Sequence, residues 1–216
     1  MKLALFDCDG TLVDSAGLIH EVMVRTFAQF GHHLPDVSDT KSIIGLTLDL
    51  TIARLLGRVH VDEDSISMAA YYKAIYAEVR AEPGREVRLY DNISAVIDSL
   101  AAREDVLIGA VTGKSRRGLE QVLQVHGFKP HFVVSRTADD CPSKPHPAMV
   151  TECCDEVGVQ PSEAIVIGDA IYDMLMAKAA GAQAVGVAWG YASTAALKEA
   201  GADAIAEQPS DILAYI

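Results

Sequence analysis

Two carboxylates two residues apart, Asp7 and Asp9, close an apolar run at the start of the chain, Met1-Lys-Leu-Ala-Leu-Phe-Asp-Cys-Asp-Gly-Thr-Leu-Val-Asp-Ser15. The run has strand length, and Gly10 and Thr11 break it. A buried apolar strand that delivers two acids at its end is costly unless a cation meets them. In an open α/β sheet the carboxyl end of a strand is also where ligands bind. Three later segments carry comparable groups. Thr112 and Gly113 follow the apolar run from Val106. Lys144 lies in Ser-Lys-Pro-His-Pro. Asp169 and Asp173 lie in Gly-Asp-Ala-Ile-Tyr-Asp. Brought together, Asp7, Asp9, Asp169 and Asp173 cannot all stay ionised without a cation. A hard, oxygen-only donor set suits magnesium. Lys144, the Thr112 hydroxyl and backbone amides near Gly113 could then hold phosphate oxygens.

Apolar runs and helical patterns alternate in a way that would bring these groups together. Strands are predicted at Val106–Thr112, His131–Ser135, Ala164–Gly168 and Ala184–Ala188. Helices are predicted at Ile93–Ala102, Ser115–His126, Pro147–Val157 and Tyr172–Ala180, the last three closed by Gly127, Gly158 and Gly181. Continuous apolar strands alternating with helices imply a parallel sheet covered on both faces. All the polar strand ends then share one edge. Residues from about Ala16 to Arg88 carry helical patterns only, at Leu18–Phe30, Leu48–Leu56 and Met68–Arg80. They predict a small helical insertion over that edge, with hinges near Ser15–Gly17 and Arg88–Asn92.

The segment Asp-x-Asp-Gly-Thr-Leu-Val-Asp-Ser resembles the first motif of the haloacid dehalogenase superfamily, most of whose members are magnesium-dependent phosphatases and mutases. The Thr112, Lys144 and Asp169–Asp173 segments are similar to its other motifs, in order and in kind. The resemblance implies an α/β fold, a Rossmann-like parallel sheet at residues 1–15 and 89–216, with an inserted α-helical cap at 16–88. It implies that Asp7 is the nucleophile, forming an aspartyl-phosphate, and that Asp9 is the general acid and then the base. Thr112 and Lys144 would hold the transferring phosphoryl group. Magnesium would sit among the Asp7 carboxylate, the Asp9 backbone carbonyl, Asp169 and the phosphate, with Asp173 in support.

The acid at position 9 points to phosphoryl transfer, because a departing halide needs no proton. The cap position, Ile43-Ile-Gly-Leu-Thr-Leu48 and Tyr71-Tyr72 look like the phosphoglycolate phosphatase-like branch. A β-phosphoglucomutase-like mutase usually has a basic residue just after the cap glycine, whereas Gly45 is followed here by Leu46, Thr47 and Leu48. Hydrolysis of a small phosphomonoester is therefore the expectation, with a mutase or a pyrophosphatase as alternatives. Candidate cap contacts are Lys41, Thr47, Tyr71, Tyr72 and Arg80, and Lys41 or Arg54 could stand in for the mutase's basic residue.

A chain of 216 residues with net charge -12 can bury a sizeable core, and its field opposes binding to nucleic acid or an anionic membrane. No apolar run approaches membrane-spanning length, and no signal peptide is evident, which predicts a cytoplasmic protein, monomer or homodimer. Cys8, Cys141, Cys153 and Cys154 show no zinc spacing and are expected to be reduced, with one of the adjacent pair facing the core. His32-His33 does not read as a metal site. Gly113-Lys114-Ser115 looks like the end of a P-loop, but Ile108 stands where the first glycine belongs. Lys114, Arg116 and Arg117 are read as a solvated helix start, with the Gly113 and Lys114 amides available to phosphate.

Overall fold

A computed structural model describes all 216 residues. Its main sheet is parallel throughout, with strands β1 (Lys2–Phe6), β4 (Val106–Val111), β5 (Phe132–Arg136), β6 (Ala164–Gly168), β7 (Gln183–Val187) and β8 (Ala204–Ala206) in the order β5-β4-β1-β6-β7-β8. β1 shows why these strands read as continuous apolar runs. Ala4 and Phe6 enter the core on one face, and Leu3 and Leu5 enter that on the other, all of them without exposure. A strand covered on both sides has no solvent face to fill with polar residues. The covering helices are α5 (Ile93–Ala101) and α6 (Arg116–Val125) on one face, and α7 (Ala148–Val157), α8 (Ile171–Ala180) and α9 (Thr194–Glu199) on the other.

β1 lies at the middle of the sheet, between β4 and β6. Chain order runs outward to β4 and β5 on one side and to β6, β7 and β8 on the other, which makes the β1 edge a topological switch point. The carboxyl ends of β1, β4 and β6 open there into one crevice.

Residues between the first and second strands of the main sheet form a helical layer with its own core. It comprises α1 (Ala16–Gln29), α2 (Val37–Ser42), α3 (Leu48–Leu55) and α4 (Glu63–Arg80). Leu18, Val22, Met23, Phe27, Ile52, Met68 and Tyr72 pack together, separate from both sheet cores. The chain enters and leaves this layer through a two-stranded antiparallel ribbon, β2 (Val13–Asp14) with β3 (Arg88–Leu89).

Several boundaries differ from expectation. α4 begins at Glu63, five residues before Met68, because Asp62 and Ser65 form a capping box: Ser65 N–H donates to Asp62 Oδ1 at 3.0 Å, and Asp62 N–H to Ser65 Oγ at 2.9 Å. α2, α9 and β8 were not predicted; six, six and three residues are too short to show a period. All four cysteines are free and buried. Cys153 and Cys154 both face the core, rather than one of them, because α7 packs against β5 and also against α8. No helix is long and apolar enough to cross a membrane.

Candidate active site

Asp7 continues β1 by one residue. Its N–H donates to Ile167 O of β6 at 2.9 Å, which fixes its backbone at the head of the crevice. Lys144 reaches in from the loop after β5. Its Nζ donates to Asp7 Oδ1 at 2.9 Å and to Asp173 Oδ1 at 2.5 Å. All three side chains are buried. Asp173 stands in the first turn of α8, where its other oxygen accepts the Ala170 N–H at 3.0 Å. Asp169 completes the group. It accepts from Thr11 Oγ1 at 3.2 Å and from Tyr191 N–H at 2.9 Å. Gly10, at φ 85°, crosses the Asp169 carboxylate so closely that a Cβ there would lie 2.2 Å from Oδ2. Position 10 therefore admits no side chain, and the left-handed backbone also favours glycine.

One oxygen of this cluster has no partner. Asp7 Oδ2 is buried and accepts no hydrogen bond, while its twin is held by Lys144. Burial pushes the Asp7 carboxyl up to about 6; Lys144 works against the rise and Asp173 adds to it. Burial, followed by the charges of Asp7 and Asp173, lifts Asp169 well above the ordinary carboxylate value. Burial opposes the charge on Lys144, but Asp173 and Asp7 outweigh it and hold the amine protonated. Ligand oxygens of Asp7, Asp169 and Asp173 lie within 4.8 Å of one another. Three buried carboxylates facing one ammonium leave negative charge uncompensated. A compact divalent cation fits such an oxygen-only set.

The Asp9 carboxylate points elsewhere. Ser15 Oγ donates to its Oδ1 at 2.5 Å, and Lys114 Nζ stands 2.8 Å from the same oxygen. The solvated helix start expected from sequence does not hold for Lys114, whose side chain is only 11 % exposed. The Ser-Lys boundary misled because Ser115 is the N-cap of α6, accepting from Gly118 N–H at 3.2 Å, and the residue before a cap can turn inward. Arg116 is also paired, with Asp140. Thr112 follows β4, buried, with its N–H on Arg136 O at 3.1 Å and its Oγ1 accepting the Lys114 N–H at 3.3 Å. The Cys8 thiol is pushed well up by burial and then by Asp9, so it is no ready nucleophile.

A cavity of about 770 Å³ lies between the helical layer and the sheet edge. Asp7, Asp9, Thr112, Gly113 and Lys114 line its floor, and Gly45, Leu46, Thr47, Tyr72, Tyr76 and Arg80 line its roof. Roof and floor meet at Gly113, where a Cβ would lie 2.5 Å from the carbonyl oxygens of Gly45 and Leu46. Thr47 N–H donates to Ser143 Oγ at 2.9 Å, tying the roof to the residue before Lys144.

The crevice therefore brings together Asp7, Lys144, Asp169 and Asp173 as one cluster, with Asp9 and Thr112 beside it. The Asp9 carboxylate stands outside the three-carboxylate group. Among the cap candidates, Thr47, Tyr72 and Arg80 reach the cavity, but Lys41 and Tyr71 do not. Lys41 lies over the Tyr191 ring at 5.7 Å, and Tyr71 packs edge-on against Phe30 at 5.9 Å. Ser15 and Tyr191 hold the acids in place but were not singled out from sequence. Tyr191 Oη accepts the Ser15 and Ala16 N–H groups at 3.0 and 3.1 Å. Nothing local marks a tyrosine 176 residues from its partner.

Fold and site together define a switch-point α/β enzyme with an acid-lined crevice under a helical roof. Residues 4–187 match the model of the haloacid dehalogenase-like hydrolase family. The chain belongs to that family. It is 28 % identical to a phosphoglycolate phosphatase of Mannheimia succiniciproducens, over 100 % of this chain and 98 % of that protein. It is 30 % identical to the pyrophosphatase PpaX of Bacillus pumilus, over 100 % of this chain and 96 % of that one. The crystal structure of a hydrolase from Pseudomonas syringae superposes with a TM-score of 0.86 at 22 % identity, covering 100 % of this chain and 97 % of that chain, which shows the shared fold.

Proposed function

We propose that the protein is a magnesium-dependent phosphatase that hydrolyses a small phosphomonoester through an aspartyl-phosphate on Asp7. The observation that carries this reading is the divided Asp7 carboxylate, with Oδ1 held by Lys144 and Oδ2 buried and bare. The free oxygen attacks phosphorus as the bond to the leaving alkoxide breaks. Asp9, on the cavity floor, donates its proton to that alkoxide. Asp9 then takes a proton from water, which attacks phosphorus; the bond to Asp7 breaks, and phosphate departs. Thr112 Oγ1 and the Lys144 ammonium hold the phosphoryl oxygens throughout. Asp7, Asp169, Asp173 and the Asp9 backbone carbonyl would hold magnesium, which supplies positive charge against the phosphoryl oxygens.

Residues 16–88 act in this scheme as a cap and residues 1–15 with 89–216 as the core. The ribbon between them serves as the hinge, so that closure excludes water. Four buried free thiols support a reducing, cytoplasmic setting. Phosphoglycolate is one candidate substrate, on the likeness to the Mannheimia protein. A second reading, inorganic pyrophosphate, rests on the 30 % identity to the Bacillus pyrophosphatase. A mutase is disfavoured because the roof loop offers Leu46 and Thr47, and no cation, after Gly45.

The test is phosphate release from a panel of phosphomonoesters and pyrophosphate, with and without magnesium, by the native protein and Asp7→Asn. Magnesium-dependent release that vanishes in the variant is expected. Release that survives Asp7→Asn would remove Asp7 from the mechanism.

A further inference from the structure

The cavity beside Asp9, at about 770 Å³, is far larger than a two-carbon acid needs and has the size of a site for a drug-sized ligand. Part of its roof is a face of α4. Tyr72, Tyr76 and Arg80 recur every four residues, Lys73 lies three before Tyr76 and seven before Arg80, and all four line the cavity. Arg117 of α6 lines the opposite wall. Lys73, Arg80 and Arg117 make no ion pair within the protein, whereas ten of the eighteen lysines and arginines do. The lining as a whole balances four acids, Asp7, Asp9, Asp49 and Asp139, with four bases, Lys73, Arg80, Lys114 and Arg117, and of the bases only Lys114 is held in an ion pair. The three unpaired cations stand apart from the Asp7–Lys144 cluster, where the transferring phosphoryl group is placed.

The Tyr72 phenol makes no hydrogen bond within the protein and its oxygen opens to the cavity, where a ligand can reach it. The Tyr72 and Tyr76 rings lie 5.9 Å apart at 35°, presenting an aromatic wall against which a flat group can pack. Met23 extends that surface with an apolar side chain.

We infer that the substrate is a phosphomonoester whose alcohol half is a flat apolar body carrying a second anionic group. The body packs on Tyr72 and Tyr76, and the anion meets Lys73, Arg80 and Arg117. This specificity rests on the phosphatase reading above.

The experiment compares kcat/KM for phosphoglycolate, phenyl phosphate and the para-carboxymethyl derivative of phenyl phosphate, whose leaving group has similar acidity. The native protein is expected to prefer the carboxymethyl ester over each of the others by about tenfold. In the double variant Lys73→Ala, Arg80→Ala, and separately in Arg117→Ala, its advantage over phenyl phosphate should shrink towards one. Thermal melts of the variants establish that they are folded. Equal rates for the two aryl esters, a preference for phosphoglycolate, or an advantage that survives in both folded variants would each overturn the inference and leave the phosphatase standing. If the native protein releases phosphate from none of the esters, or Asp7→Asn releases it as fast, the phosphatase reading falls and this inference falls with it.

Discussion

Lys144 neutralises part of a charge cluster that burial makes expensive. It bridges Asp7 and Asp173, and all three side chains are essentially inaccessible. Removing one partner of a buried pair leaves the others uncompensated, which costs about 3–5 kcal/mol. Lys144→Met is therefore expected to lose about that much stability in denaturant titrations, and magnesium should restore part of it. Asp9→Asn keeps an oxygen for Ser15 Oγ and Lys114 Nζ but removes the charge opposite Lys114, so it should fold with some loss of stability while turnover falls by about 10²–10⁴-fold, the usual weight of general acid–base catalysis. The pH dependence of stability follows from Asp7, whose carboxyl rises from 3.8 to about 6 on folding. Between those values the folded protein binds more protons than the unfolded chain. Without metal, stability should fall as pH rises through this window, and Asp169, also raised by burial, extends the fall in the same direction. Asp140 and Asp203 have lowered values, so their contribution is fully present above the ordinary carboxylate value and does not reverse the trend. Magnesium competes with the proton on Asp7. Its rise in Tm should accordingly be larger near pH 7.5 than near pH 5, and an equal rise at both would count against Asp7 as a ligand.

At the scale of elements, short polar signals place the boundaries that hydrophobic periodicity misses. Asp62 and Ser65 start α4 ahead of its first fully buried apolar residue, Met68. Asp62→Ala should cost about 1 kcal/mol, the weight of a lost N-cap, measured as a shift in the unfolding midpoint at constant m. The strands of the main sheet were legible because burial on both faces leaves an unbroken apolar run; β1, β4 and β6 lie where that pattern puts them, within a residue. β8 and α9 were not legible, being shorter than the window in which a period can be seen. The same limit hid the β2–β3 ribbon, two residues on each side, although it joins the helical layer to the sheet. Lys114 departs from its sequence pattern for another reason. The sequence shows a lysine just before a helix cap, and only the packing of α6 beside Asp9 turns it inward.

Across the whole molecule, three separate apolar cores divide the labour. Two lie against the faces of the sheet and one within the helical layer. Close approach at Gly113 and the Thr47–Ser143 hydrogen bond are contacts of the roof loop with the sheet edge. An independent core on a two-stranded ribbon suits a hinge motion. Magnesium with orthovanadate should reduce the radius of gyration in solution scattering, and identical curves with and without them would argue against closure. The sequence by itself determined the alternating α/β order, the helical insertion and the acids, lysine and threonine at the strand ends. Those features are local: strand burial, helix stops and motif spacing are written in neighbouring residues. The tertiary structure alone decided that Asp7 keeps one bare oxygen, that Asp9 turns to Lys114 and Ser15, and that Tyr72 and Arg80 face the cavity while Tyr71 and Lys41 do not. Each of these depends on which residues distant in the chain become neighbours, and that is set by the packing of whole elements.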